Sequence, residues 1–193
     1  MNADGAGRPA VFLDRDGTLN VEKNYLYRIE DWEWIPGCVE AIAELNAAGV
    51  PVIVVTNQAG IARGLYTEAD LFRLHEFVGS ELARAGARVD GFYHCPHHPD
   101  FGDRLDCDCR KPRPGMLRRA ADEHGIDLTR SWVIGDRETD VEAALACGAR
   151  PVLVETGYGA RTRALLTRPV EQFPSAAQAI SGILNRLRDT PAS

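Results

Sequence analysis

No stretch of this chain is apolar for long enough to cross a bilayer. The longest run, VPVIVV at 50–55, falls far short of the roughly 20 residues a membrane helix needs. The opening residues, MNADGAGRPA, lack a basic segment followed by an apolar one, so no signal peptide is expected. The expected compartment is therefore the cytoplasm, where structural disulfides are not expected. Lysine is nearly absent: of 22 basic residues only Lys23 and Lys111 are lysines. A lysine inside a motif is thus a signal rather than background. Positive charge is also in deficit, with a net charge of −6. That argues against a broad nucleic-acid footprint, which needs a basic face. It leaves room for a small anionic substrate, because the local field in a cleft outweighs net charge. There are no internal repeats. The 193 residues suffice for a buried core and are expected to form a single domain, 1–193.

What is present is an alternation. Short apolar runs at 10–14, 50–56, 91–94, 131–136 and 151–155 read as five buried strands. Between them lie segments of helical period at 37–48, 67–85, 114–125 and from Asp136 to Cys147, with a last one at about 175–187. Thr67 and Asp70 stand at capping-box spacing. The segment from Gly17 to Gly37 has no clean period and reads as a loop with room for a small hairpin, and the tail RDTPAS is expected to fray. Strands alternating with helices predict an α/β fold, a parallel sheet covered by helices on both faces. Cys38 and Cys147 fall in helical segments and read as small buried residues, His75 and His124 as helix-surface residues.

Ligands of such a sheet bind outside the carboxyl ends of its strands. Polar residues collect there: Asp14 and Asp16, Thr56 and Asn57, Cys95 onward, and Asp136. Two acids two residues apart repel unless a cation lies between them. Mg²⁺, a hard ion held by few carboxylates, fits that need, and Asp136 adds a third acid at the same edge. Asp140 reads either as a supporting acid or as a first-turn helix residue. After Thr56, the run Asn57-Gln58-Ala59-Gly60 combines polar groups with glycine, which suits close approach of an anion. Lys111, beside Arg110, reads as an electrostatic clamp on phosphate.

The stretch HCPHHPDFGDRLDCDCRKP, 94–112, holds three of the five cysteines and three of the five histidines. Cys95, Cys107 and Cys109 with one histidine make a Cys₃His set of the kind that holds structural Zn²⁺. The spacing is not that of a C-x-x-C redox pair. Free thiols are the plain alternative, but the intervening loop has only Phe101 and Leu105 to hold it closed. A neighbour of the ligand on a strand end points the opposite way, which weakens His94; spacing leaves His97 and His98 open.

DRDGTLN at 14–20 resembles motif I of the haloacid dehalogenase (HAD) phosphohydrolase superfamily, and Thr56, Lys111 and GDRETD follow in that superfamily's order. The resemblance implies a Rossmann-like HAD fold, with Asp14 as nucleophile and Asp16 as general acid and then base. Mg²⁺ would be held by Asp14, the Asp16 carbonyl and Asp136, and Thr56 and Lys111 would stabilise the phosphoryl group. The wider set FLDRDGTLN, TNQAGIARG, CPHHP, CDCRKPRPGM and GDRETD resembles the D-glycero-D-manno-heptose 1,7-bisphosphate 7-phosphatases. That family implies Zn²⁺ on Cys95, His97, Cys107 and Cys109, and substrate recognition by Arg110. Glu22, Lys23, Asn24, Tyr25, Asn57, Gln58, Ala59 and Arg137 fall at its substrate-contacting positions. Arg137 stands where some relatives carry lysine. A chain this short leaves no space for a separate cap domain, so the loop after Asp16 and the zinc loop are expected to wall the pocket, and the protein is expected to be a monomer. Histidinol-phosphate phosphatases share the zinc device, but GIARG and the longer spacer favour the heptose enzymes. Polynucleotide 3′-phosphatases share a TNQ-like motif without the zinc loop. A non-catalytic zinc-binding interaction protein would not need the complete set of catalytic residues.

Overall fold

Neighbouring residues of the first strand part company. Val11 and Leu13 enter one apolar cluster, and Phe12 enters another. This is the period of two expected of a strand buried on both faces. The computed structural model describes residues 7–102 and 106–189. Its strands are β1 (Val11–Leu13), β2 (Val52–Asn57), β3 (Gly91–Cys95), β4 (Trp132–Gly135), β5 (Arg150–Val154) and β6 (Glu171–Phe173). All pair in parallel, in the order β3-β2-β1-β4-β5-β6. The helices are α1 (Cys38–Ala47), α2 (Ala59–Ala62), α3 (Glu68–Arg84), α4 (Gly115–His124), α5 (Glu138–Ala146), α6 (Gly159–Leu165) and α7 (Ala176–Asp189). The first cluster joins β1, β2, β4 and β5 to α1, α3 and α7; the second joins the opposite sheet face to α4 and α5. Phe12 has no exposed surface, and its truncation to alanine would cost about 3–5 kcal/mol.

The strand order reverses at β1, which lies between β2 and β4. A crevice opens at such a reversal, beyond the carboxyl ends of the two strands. Asp14 follows β1 and donates its backbone N–H to the Ile134 carbonyl of β4 (2.9 Å), so it is locked to the neighbouring strand that delivers Asp136.

The five expected strands are present, and a sixth, β6, adds an edge; α2 and α6 were also unforeseen. Each of these is short, below the length at which period speaks clearly. The segment after Asp16 forms no hairpin ladder. It carries single bridges Asp16–Asn20 and Asn20–Trp34 and a 3₁₀ turn at Ile29–Asp31. Thr67 and Asp70 form the capping box as expected. His75 is a correction: it is buried, and its ring stacks on Phe92 at 4.6 Å. His124 is half-buried against the Tyr93 hydroxyl, and Cys147 is only half-buried. Leu105 and the end of the tail, 190–193, lie outside the described residues.

Candidate active site and Cys/His cluster

Three strand ends and the first turn of α5 meet at one cavity. Asp14, Thr56, Asp136 and Asp140 are all buried there, and so is Lys111. Lys111 Nζ lies 2.7 Å from Asp14 Oδ1, 2.6 Å from Asp140 Oδ1 and 2.7 Å from the Val55 carbonyl oxygen. Burial alone would lower its pKa, but the two carboxylates outweigh burial and raise it above the ordinary lysine value, so it is a fixed cation. Its backbone is held as firmly. Asn57 accepts from the Lys111 N–H and donates to the Lys111 carbonyl, both at 3.0 Å.

The acids feel the burial as well. It raises the Asp14 carboxyl to about 7, against the pull of Lys111 and with the push of Asp140. Asp136 is raised to about 8 by burial and by its neighbours Asp14 and Asp140. Its Oδ2 accepts the Tyr158 N–H at 2.7 Å, while Oδ1 is buried without a hydrogen-bond partner. Asp14, Asp136 and Asp140 each place a carboxylate oxygen within 4.8 Å of the others. Crowded acids with an unpartnered buried oxygen suit a hard divalent cation. Asp140 is already committed: it holds Lys111 and accepts the Arg137 N–H at 3.0 Å, which caps α5. Both sequence readings of Asp140 therefore hold at once. Of Asp136 and Asp140, Asp136 therefore keeps an oxygen, Oδ1, for a cation.

Asp16 faces the same cavity and is gripped from several sides. Arg15, wholly buried, reaches its Oδ1 (2.9 Å), Asn20 donates to Oδ1 (3.1 Å), and Gln58 donates to Oδ2 (3.0 Å). The same Arg15 Nη2 donates to the Leu26 carbonyl at 2.7 Å and so pins the following loop to the floor.

The cavity encloses about 340 Å³. Glu22, Asn24 and Tyr25 form one wall, His98 and Arg110 another, with Asn57, Gln58, Ala59, Arg137 and Tyr158 closing it. Asn24 and Tyr25 hold left-handed backbone angles, φ of 52° and 54°. Such strain in non-glycine residues is found where a site demands it. Tyr158 packs under the Arg137 guanidinium at 3.8 Å and donates to Asn24 Oδ1 at 3.2 Å, while Glu22 pairs with Arg137 at 3.4 Å. Lys23 is not among the lining residues; its ammonium turns to Glu33 at 3.0 Å. Tyr66, Thr139 and Tyr158 line the cavity without having been singled out from sequence, and His98, read there only as a candidate zinc ligand, lines it as well. Tyr158 follows the carboxyl end of β5, so the strand-end rule, applied to that strand too, would have found it.

Beside this cavity Cys95, His97, Cys107 and Cys109 converge. His97 Nδ1 is 3.3 Å from Cys109 Sγ and 3.7 Å from Cys95 Sγ; Cys95 Sγ is 3.6 Å from Cys107 Sγ and 3.1 Å from Cys109 Sγ. A tetrahedral zinc with metal–sulfur bonds of about 2.3 Å has edges of about 3.7 Å, so the donor set fits the ion after a small expansion. The other two histidines face elsewhere. His94 pairs with Glu68 at 2.8 Å, and His98 lies 3.4 Å from Arg63. Arg110 donates to the His97 carbonyl at 3.0 Å, which ties the cavity wall to the cluster.

Known proteins resemble this chain in sequence and in fold. A haloacid dehalogenase-like hydrolase family model matches residues 11–70, and a HAD-hydrolase-like one matches 108–180. The D-glycero-beta-D-manno-heptose-1,7-bisphosphate 7-phosphatase of Photorhabdus laumondii is 44% identical over 189 residues, 96% of this chain and 94% of that protein. Its Escherichia coli K12 counterpart is 43% identical over 187 residues, covering 95% of this chain and 92% of that one. The crystal structure of D,D-heptose 1.7-bisphosphate phosphatase from B. bronchiseptica, complexed with magnesium and phosphate, superposes with a TM-score of 0.85 at 36% identity, over 92% of this chain and 99% of that one. Acids, lysine, cavity and full-length likeness agree, and the chain belongs to the haloacid dehalogenase-like hydrolases, in the family of the D-glycero-D-manno-heptose 1,7-bisphosphate 7-phosphatases.

Proposed function

We propose that this protein hydrolyses the C7 phosphate ester of D-glycero-D-manno-heptose 1,7-bisphosphate, releasing heptose 1-phosphate and inorganic phosphate. The observation that carries the reading is the buried Lys111–Asp14 pair beneath a cavity lined by Arg110 and Arg137. One end of the cavity is equipped for phosphoryl chemistry, and two further cations are available to a substrate with a second phosphate. The relatives' named activity and the magnesium and phosphate in the B. bronchiseptica structure support the same reading.

The residues divide the work as follows. Asp14 attacks phosphorus, and the bond from phosphorus to the C7 oxygen breaks. Asp16 gives its proton to the departing alkoxide, which leaves Asp14 phosphorylated. Lys111 and the Thr56 hydroxyl take up charge on the phosphoryl oxygens. Asp16 then removes a proton from water as it attacks phosphorus, and Asp14 is freed with release of phosphate. Mg²⁺, held by Asp14, Asp136 and the Asp16 carbonyl, supplies the charge neutralisation that lets a carboxylate approach an anion. Glu22, Asn24, Tyr25, Asn57, Ala59 and Arg137 shape the sugar site, and Arg110 meets the second phosphate. Zn²⁺ on Cys95, His97, Cys107 and Cys109 acts as a structural staple, since four protein ligands leave no open position. The expected compartment is the cytoplasm, where these thiols stay reduced and metal-competent.

The test is turnover with Mg²⁺ on heptose 1,7-bisphosphate and on histidinol phosphate. A preference of at least about a hundredfold for the heptose is expected, the scale on which a missing charged contact discriminates. Preference for histidinol phosphate would overturn the substrate. Asp14→Asn is expected to abolish turnover on both, and survival of activity in that variant would overturn the mechanism.

A further inference from the structure

Gln58 sits at a position that implies contact with substrate, yet its amide is fully occupied by the protein. It is buried, and Nε2 donates both to Asp16 Oδ2 at 3.0 Å and to Thr56 Oγ1 at 2.7 Å. Oε1 accepts the hydroxyl of Tyr66. The Asp16 carboxylate only accepts, so it draws the N–H groups of the amide toward itself, and the Tyr66 hydroxyl anchors the opposite end by donating to Oε1. The consequence reaches two groups in contact with substrate. Thr56 Oγ1, already accepting from Gln58, keeps its own hydrogen to point at a phosphoryl oxygen. Asp16 has Oδ2 fixed by Gln58 and Oδ1 by Arg15 and Asn20, so the carboxyl is held in one orientation.

Tyr66 is itself fixed. It is 6% exposed, and its ring stacks on Tyr27 at 5.0 Å and 15°. On another side lies Gly60, where an added Cβ would fall 2.1 Å from the Tyr66 ring. The ring occupies the space a side chain at position 60 would need, so the hydroxyl is aimed by packing as well as by its hydrogen bond.

We propose that Tyr66 is a positioning residue of the active site: its hydroxyl anchors the Gln58 amide and thereby aims Asp16 and Thr56 at the substrate. This rests on the assignment of Asp16 as the proton donor to the leaving alkoxide. It therefore predicts a dependence on the leaving group. A sugar alkoxide leaves only with a proton from Asp16; p-nitrophenolate leaves without one.

The experiment is Tyr66→Phe, which keeps the ring and its stack. Its kcat/KM is measured on heptose 1,7-bisphosphate and on p-nitrophenyl phosphate, since this ratio reports steps through phosphorylation of Asp14. The sugar phosphate is expected to lose about tenfold more than the aryl phosphate, the scale of a misplaced catalytic group. Gln58→Glu, which keeps an acceptor for Tyr66 but turns an oxygen toward Asp16 and Thr56, is expected to lose more on the sugar phosphate than Tyr66→Phe. Equal losses on the two substrates, as from a merely structural residue, or no loss on either, would overturn the proposal. Asp14→Asn keeps the two readings apart. If it is inactive while Tyr66→Phe loses equally on both substrates, only the role of Tyr66 fails; if it stays active, the mechanism itself fails.

Discussion

Lys111 Nζ lies 2.7 Å from Asp14 Oδ1, and both side chains are shut away from solvent. A buried ion pair is weak evidence of stability, but losing one partner leaves an uncompensated charge. Asp14 is already raised to about 7 with the lysine in place. Without it burial and the neighbouring Asp140 push that carboxyl higher still, away from the ionised form a nucleophile needs. Lys111→Met is therefore expected to lower kcat by at least about a hundredfold. It is also expected to cost about 3–5 kcal/mol of stability at pH 8, and less at pH 5, where the acids take protons instead. Steady-state rates and urea unfolding at both pH values check this. A stability loss equal at the two pH values would show that the lysine does not compensate these carboxylates.

The acid cluster makes the metal-free protein sensitive to pH. Asp14 and Asp136 are raised from 3.8 to about 7 and about 8. A carboxyl whose folded pKa is raised binds protons more tightly in the folded than in the unfolded state. The stability it contributes is complete below about pH 3.8 and drains away as pH rises to about 8. From this cluster alone, the melting temperature of the metal-free protein falls between pH 5 and pH 8. Mg²⁺ replaces the protons, so its stabilising effect is larger at pH 8 than at pH 5. Thermal unfolding with and without Mg²⁺ tests both signs. Equal stabilisation at the two pH values would place the ion elsewhere.

Most of this was legible in the chain, for reasons that can be stated residue by residue. Val11 to Leu13 and Val52 to Val55 are apolar on both faces because the sheet is covered on both faces, so an uninterrupted run was informative. Asp14, Thr56 and Asp136 follow such runs directly, which put them at one edge before any coordinates. What sequence concealed is long-range pairing. Nothing in the local pattern of His75 shows that Phe92 stacks on it from β3. Gln58 looked available to substrate because Tyr66, eight residues on, gives no local sign that it claims the amide. The heptose family's pattern suggested Lys23, which is not among the residues lining the cavity and pairs with Glu33 across the loop.

Gly157 tests the proposed metal site through its contact with Asp136. It has φ of 58°, and a Cβ there would fall 2.2 Å from Asp136 Oδ2 and 2.7 Å from the Gly17 Cα. Gly157→Ala must displace the Asp136 carboxylate, so the Mg²⁺ concentration for half-maximal activity is expected to rise about tenfold or more. Gly64→Ala is the control. Its φ of 69° is similar, but nothing lies within 4 Å of the added carbon. That variant is expected to lose about 1–2 kcal/mol of stability with no change in Mg²⁺ dependence. Activity titrations with Mg²⁺ on the two variants separate crowding at Asp136 from simple backbone strain; parallel shifts in both would leave strain as the explanation.

The Cys/His cluster and Lys111 are adjacent in sequence but anchored differently. Arg110 is tied to the cluster through the His97 carbonyl, whereas the Lys111 backbone is clamped from β2 by both ends of the Asn57 amide. On the proposed reading, in which the cluster holds zinc, loss of that ion reaches Arg110 first. Cys109→Ser, or zinc removed with a chelator, is expected to raise KM for the bisphosphate about tenfold, the worth of a charge-assisted contact to phosphate. The kcat is expected to stay within about threefold, because Lys111 keeps its place over Asp14. A sugar monophosphate, with no second phosphate for Arg110, is expected to show little change in KM. Thermal stability falls in the same variant, since a structural metal contributes directly to folding. Metal analysis of the native protein and the variant, together with kinetics on both substrates, checks the division. A variant that stays folded with KM unchanged and kcat collapsed would mean that the cluster, and not Asn57, holds the lysine in place.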